Sequence, residues 1–261
     1  MRIVVAVKQV AVLDDGFELR EDARAVDPDD LDWELNEWDR FAVEAAVQIR
    51  DASEACEVVV VTVGDVQAEE ALFDCLAHGA DRALRVWDDA LEDADVLATA
   101  GVLAAVVERE SPDLVLCGVQ SSDGANGATG VALAALSGLP HVAVVRRLEM
   151  ASGSATVERE LEGGLVEVLS IRLPALLTIQ TGCNDPRHAT LRAIKQASGK
   201  PLEVIGIAPL GLDAAMVAAS AGAHVRRVAP PSRSRTAEML EGSAADVAAR
   251  IEEIIRDRVT P

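Results

Sequence analysis

The segment Gln120-Ser-Ser-Asp-Gly-Ala-Asn-Gly-Ala-Thr-Gly130 carries the densest chemistry in the chain. Gly124, Gly127 and Gly130 let a backbone come close to a ligand, and the apolar run that follows, Val131–Ser137, has the pattern of a helix ended by Gly138. Amides at a helix start favour an anion, so a loop of this kind between a buried strand and a helix fits a phosphate. An ordinary glycine-rich turn fits the same residues. The loop lacks the Gly-Lys-Ser/Thr of a Walker A motif, and its glycine spacing differs from the dinucleotide fingerprint, which follows a first strand.

Other reactive side chains are scattered. His78, His141, His188 and His224 have no partner at metal or triad spacing. His78 precedes the helix-ending Gly79 and complements a helix dipole, and His141 follows Pro140 in what reads as a loop. The acidic pairs Asp14–Asp15, Asp29–Asp30 and Asp88–Asp89 are ordinary in so acidic a chain. Cys56, Cys75, Cys117 and Cys183 form no CxxC, and Cys75 and Cys117 sit in apolar patterns that read as buried thiols. Trp38 is conspicuous where aromatics make up 2% of residues; it is either core packing or a flat surface beside a ring-shaped ligand. Leu191, in a polar stretch, is either tucked down or offered to a partner. No nucleophile elbow or Cys–His grouping is visible, so the chain reads as a binder rather than a stand-alone catalyst.

Charge narrows the class further. Asp plus Glu number 44 against 24 Lys plus Arg, a formal charge of -20. That excludes general nucleic-acid binding and docking on anionic lipid, both of which need basic surface. Only Lys8, Lys195 and Lys200 are lysines, and two of them fall in one short segment. No apolar stretch reaches the ~18 residues of a spanning helix, and MRIVVAVKQV starts a strand without a leader pattern, so the expectation is a soluble, cytoplasmic protein.

Near-continuous apolar runs at Ile3–Val10, Glu57–Val63, Ala83–Val86 and Asp113–Val119 read as strands buried on both faces. Between them lie a polar loop or small hairpin at Leu13 to Leu31 and helical patterns. Phe41, Ala45 and Ile49 recur behind Asn36 as N-cap; Gln67–His78 and Asp93–Glu110 follow. Alternating strand and helix predicts an α/β fold with a doubly wound, mainly parallel sheet. Four short strands after His141, the last of them ALLTIQT, extend that sheet as an antiparallel edge, with Pro174 at an edge position. Residues 184–206 read as a loop with a short helix, 207–238 as an extended arm, and 242–257 as an amphipathic helix with Val247, Ile251, Ile254 and Ile255 on one side. The expected division is a nucleotide-binding domain at 1–206 and an arm at 207–261 whose apolar face needs a partner.

VAVKQV, NEWDRFAVEAAVQIR, GADRALRV and, above all, RELEGGLVEVLSIRLPALLTIQ followed by NDPRHATLRAIKQA resemble one family, the beta (small) subunits of electron-transferring flavoprotein. NEWD, VWDD and GVQSSD are similar to the methylotroph branch that serves trimethylamine dehydrogenase. The resemblance implies an adenine-nucleotide alpha-hydrolase-like fold and a heterodimer with an alpha subunit. It also implies an FAD held mostly by alpha near the face that beta presents, and a structural AMP on beta. By position, AMP would touch Ala6, Asn36, Glu37, Trp38, Asp39, Val63 and the run Asp123, Gly124, Ala125, Asn126, Gly127, Ala128, Thr129, Gly130, Val131, Ala132, Leu133 and Ala134. Where the family reads Asp-x-x-x-Asn-Gln-Thr-Gly, this chain has Gly127-Ala128 in place of the Asn-Gln pair, which removes side-chain contacts and keeps backbone ones. The pattern of the electron-bifurcating branch, which carries a second FAD in place of AMP, is missing.

Trp38 falls where the family often has an aromatic near the flavin, and Leu13 where some members have tyrosine. Thr190–Lys200 resembles the loop that grips a partner dehydrogenase, with Leu191 as apolar anchor and Lys195 and Lys200 as a thinned lysine run. The implied function is that of an electron-carrier subunit without catalytic residues of its own. A stand-alone ATP-binding module of the universal-stress type is the alternative, but its Gly-x2-Gly-x9-Gly-Ser/Thr spacing is not met, since Gly127-x2-Gly130 is followed by Gly138.

Overall fold

A computed structural model describes residues 1–13, 17–27, 31–230 and 239–259 of the chain, with side chains to 257. Its strands are β1 (Arg2–Ala6), β2 (Gln9–Leu13), β3 (Leu31–Leu35), β4 (Glu57–Val63), β5 (Arg82–Val86), β6 (Leu114–Gly118), β7 (His141–Ala151), β8 (Ser154–Glu160), β9 (Val166–Arg172), β10 (Ala175–Ile179) and β11 (Leu202–Ile205). Its helices are α1 (Glu37–Asp51), α2 (Glu69–Ala77), α3 (Val96–Glu110), α4 (Thr129–Ser137), α5 (Leu191–Ala197), α6 (Ala214–Ser220) and α7 (Ala244–Val259).

The apolar runs β1, β4, β6 and β10 lie side by side because residues such as Val4, Val60, Leu116 and Leu177 have no solvent-facing side. They form the middle of a nine-stranded sheet ordered β11-β5-β4-β1-β6-β10-β7-β8-β9. Pairing is parallel from β11 to β7 and antiparallel along β7-β8-β9. One apolar layer joins the sheet to α1, α2 and α5, and a second joins its other face to α3, α4 and α6, so the sheet is covered on both faces by crossovers. Ile207 and Val217 belong to the second layer, so the chain past 206 first stays on the body. Asp95 then holds it: one carboxylate oxygen caps α3 through Leu97 N and Ala98 N, and the other accepts from Gly222 N (2.8 Å) and Ala223 N (3.0 Å). Further along, Val228 N donates to Ala23 O at 2.7 Å. On α7, Ile251 and Ile255 are exposed.

Several expectations need correction. The first apolar run is two strands: β1 ends at Ala6, and β2 leaves the main sheet to pair with β3 in a separate hairpin. The acidic stretch between them holds a Leu19–Val26 bridge, while the pairs Asp14–Asp15 and Asp29–Asp30 lie outside the described residues. The strand β10 is interior rather than an edge, and Pro174 sits in the turn before it. The ladder there loses nothing, because Leu176 N donates to Pro140 O. His141 opens β7 instead of lying in a loop, and β11 is an edge strand where only a loop and helix were expected. Among the thiols, Cys75 and Cys117 are buried, and Cys56 and Cys183 are partly so.

The order of the strands fixes one special place. From β1 the chain moves outward through β4 and β5, then returns to the other side of β1 with β6. Between the carboxyl ends of β1 and β6 the sheet therefore has its switch point, where crossovers diverge and leave a crevice. Asp39, in the first turn of α1 and 4% exposed, fills the floor of that crevice. Its two oxygens accept from Lys8 N and Gly118 N, each at 2.8 Å. Burial pushes its pKa up from 3.8 to about 6, against the pull of those two amides and of Lys8. Gly118 is required by the same contact, since a Cβ there would stand 2.5 Å from both Asp39 Oδ1 and Trp38 Cβ.

Two outcomes follow from this packing. Gly118→Ala should lower the unfolding free energy by about 2 kcal/mol or more, because it must displace backbone as well as the carboxylate. Gly101→Ala, inside α3 with nothing within 4 Å of the added carbon, should raise it by about 0.5–1 kcal/mol. Denaturant midpoints of the two variants check the pair. Asp39 binds its proton more tightly when folded, so its protonation stabilises the fold fully below pH 3.8 and the gain disappears as pH rises to about 6. The difference in unfolding free energy between the unsubstituted protein and Asp39→Asn should thus fall by on the order of 3 kcal/mol across that window and level off above it. A flat difference would show that this carboxyl does not titrate there.

Candidate functional site

The crevice is roofed by the loop after β6. Asn36, 1% exposed, sits at the start of α1 where an N-cap was expected, but its side chain makes no capping bond. Instead Nδ2 donates to Gln120 O (2.8 Å) and Oδ1 accepts from Ser122 N (3.2 Å). Lys8, just past β1, donates through Nζ to both oxygens of Asp123 at 2.7 Å. Desolvation pushes the Asp123 carboxyl up, yet the Lys8 ammonium and the hydroxyl of Ser121 hold it below the ordinary range. Two side chains from the first 36 residues thus pin a loop more than 80 residues later in the chain.

Between Asp123 and α4 the loop is exposed backbone. Ala125 and Gly127 take positive φ (48° and 59°), a conformation that glycine adopts without cost. Ala128, at the N-cap of α4, has no side chain able to accept from the first helical amides. Those amides therefore remain available to an outside acceptor, the condition under which a helix start holds an anion. Gly130 seats this helix against the sheet, since a Cβ there would meet Cys117 Sγ at 2.6 Å and Thr178 Cγ2 at 2.7 Å.

Of the residues expected to line a nucleotide site, Asn36, Asp39, Asp123 and the run to Gly130 meet at the switch point. Ala6 and Val63 end β1 and the neighbouring β4 at the same sheet edge, and Glu37 is exposed at the head of α1. Val131 and Ala132 are partly buried in the first turns of α4. Leu133 and Ala134 are core residues (1% and 0% exposed), so their side chains face the sheet and not a ligand at this edge. Trp38 is neither core nor free: its Nε1 donates to Gln180 Oε1 at 3.0 Å, fixing the half-buried indole beside the crevice. Sequence reasoning missed Lys8 and Gln180. Lys8 carried a signal, as a rare lysine directly behind the first strand; Gln180 carried none.

The second candidate region stands apart from the crevice. Arg187 anchors its base, donating to both oxygens of Glu44 (2.8 and 3.1 Å) and to Asp51 (3.0 Å). Thr190 caps α5 by accepting from Ala193 N, which presents Leu191 at 81% exposure and Ile194 at 52%. Lys195 is exposed. Lys200 departs from expectation: its ammonium donates to Leu76 O (2.9 Å) and Ala80 O (2.6 Å) at the end of α2. His78 completes the α2 end, with Nδ1 2.8 Å from Asp74 O and 3.1 Å from Asp74 Oδ1.

Among the described residues no three His, Cys, Asp or Glu side chains group to hold a metal ion, and no helix is long and apolar enough to cross a membrane.

Residues 24–210 match the electron transfer flavoprotein domain family. The chain is 48% identical over 261 residues to the electron transfer flavoprotein subunit beta of Methylophilus methylotrophus, covering 98% of each chain. It is 33% identical over 258 residues to the human subunit beta, again with 98% of each covered. It is 34% identical over 253 residues to subunit CarD of the caffeyl-CoA reductase-Etf complex of Acetobacterium woodii, with 93% of each covered. The stand-alone stress-module reading gives way to these matches. A chain that roofs a switch-point crevice with an uncapped helix start, and that matches these subunits from end to end, belongs to the electron transfer flavoprotein family as a beta subunit.

Proposed function

We propose that this chain pairs with an alpha subunit to form an electron carrier, walls the pocket of an FAD held mostly by alpha, keeps a structural AMP at the switch point and docks a donor dehydrogenase. Bound FAD would supply the one-electron chemistry. This chain contributes position. Trp38, locked by Gln180, would present a flat ring toward the flavin, and the loop Asp123–Ala128 with the amides of Thr129 and Gly130 would hold the AMP phosphate. The observation that carries the nucleotide reading is the roofed crevice itself: exposed loop backbone with positive φ at Ala125 and Gly127, ending at a helix start that the protein leaves uncapped. The Lys8–Asp123 pair supports it, since it neutralises the carboxylate that would otherwise repel a phosphate there.

Docking is assigned to Leu191 with Lys195. An exposed leucine on a short, capped helix whose base is clamped by Arg187 and Glu44 is a pre-positioned anchor. Lys200 takes no direct part, because its charge is used on α2. The closeness to the Methylophilus methylotrophus subunit favours a trimethylamine dehydrogenase-like donor and a cytoplasmic setting. The arm and α7, with Ile251 and Ile255 exposed, would lie against the alpha subunit.

Co-expression with an alpha subunit should give a yellow heterodimer that releases about one AMP per FAD on denaturation; AMP bound only to the folded form stabilises it by about 3–4 kcal/mol at 100 to 1,000 times its dissociation constant. A heterodimer holding FAD but no nucleotide would refute the AMP assignment. Leu191→Ala should slow flavin reduction by the donor roughly 5- to 150-fold, as expected for the loss of about 1–3 kcal/mol at an interface anchor, while FAD content stays normal. Loss of FAD from that variant would count against a docking role.

A further inference from the structure

The chain has three tryptophans and three phenylalanines, and Trp33 and Phe73 line the same open cavity of about 470 Å³. It lies between the β2–β3 hairpin, α2 and α5. Phe73 is 37% exposed, and the α5 wall is supplied by Ile194. Leu191 and Ile194 are three residues apart, so they stand on one stripe of α5, and that stripe leads from the exposed leucine into the cavity. A partner resting on Leu191 would therefore lie beside the cavity.

Charge identifies what would fill it. Glu34 and Glu70 line the cavity, and neither has an ion-pair partner among the described residues. The other two charged groups of the lining cancel, because Arg40 pairs with Asp74 at 2.8 Å. A lining that combines two aromatic rings with two carboxylates outside any ion pair suits a cation on an apolar stem, which gains ring contact, stem burial and charge pairing at once. A second copy of this chain, with its formal charge of -20, is disfavoured as occupant.

We propose that this groove seats an arginine or lysine side chain presented by the donor dehydrogenase, beside the site where Leu191 docks. The inference rests on the docking role given above to Leu191, and it makes partner choice depend on two contacts, one apolar and one ionic. The apolar anchor fixes residence, and the carboxylates select a partner with a cation at the matching distance.

The test uses the reconstituted heterodimer, with purified trimethylamine dehydrogenase as the donor, following flavin reduction by stopped flow at increasing donor concentration. Glu34→Gln with Glu70→Gln should raise the donor concentration for half-maximal rate about three- to tenfold at low salt, leave the limiting rate unchanged, and lose its effect at ~0.5 M salt. Ile194→Ala, at an exposed position that does not threaten the fold, should raise it at both salt concentrations. If Leu191→Ala slows reduction while the double Gln variant and Ile194→Ala behave like the unsubstituted protein, the groove inference is overturned and the docking reading stands. If Leu191→Ala is also without effect, the docking reading fails and takes the groove with it. Should the double Gln variant change the sedimentation of the heterodimer and not its kinetics, the groove belongs to a second copy and the proposal is wrong.

Discussion

One buried carboxylate organises the functional end of this molecule. Asp39 accepts from the amide that follows β1 and from the amide that ends β6, the two strands between which the sheet reverses its winding. The ladder between those strands ends at Ala6 opposite Cys117, and beyond it the main chains offer no further tie. A side chain with two acceptor oxygens supplies one, and its burial is tolerated because both oxygens are satisfied. Gly118 must lack a Cβ because of this contact, which also ties the turn at Lys8 and the first turn of α1 to the end of β6. With the floor fixed, Asn36 and Lys8 on either side can hold the roof.

The roof is held by side chains and left open by backbone. Asn36 and Lys8 grip its near end, Gly130 seats its far end, and the residues between are exposed. Such an arrangement leaves the side chains at Gly127 and Ala128 with little to hold in place. The docking region follows the opposite logic. There the backbone is fixed by Arg187 on Glu44, by Thr190 and by Lys200, and the side chains of Leu191 and Ile194 are left exposed.

How much of this was legible in the sequence depends on what each residue reports. Strands β4 and β6 were plain because burial on both faces leaves an uninterrupted apolar run. The first run was equally apolar, but it divides into β1 and β2 at Lys8, whose amide donates to Asp39 in a contact 31 residues away that no local pattern encodes. The strand β10 looked like one more member of an antiparallel set because the turn before it is short; its place beside β6 is a matter of topology. The edge strand β11 was silent, four residues with a glutamate at the second, held by main-chain bonds such as Ala83 N to Pro201 O. At the site, residue type located Asn36 and Asp123 but misjudged what Asn36 does, since an asparagine before a helix is an N-cap by preference and a cross-chain tether only in context. Lys200 was misread for a similar reason: charge is visible in a sequence, and the carbonyls that consume it are not.

The placement of the indoles has an optical consequence. The chain contains no tyrosine, so its near-ultraviolet absorption and emission come almost wholly from Trp33, Trp38 and Trp87. Trp38 stands at the crevice with its N–H engaged, and Trp33 lines the groove beside α5. Each of the two surfaces assigned to other molecules thus carries its own built-in fluorophore, and replacing Trp87 together with one of the two by phenylalanine leaves the other as this chain's single indole reporter.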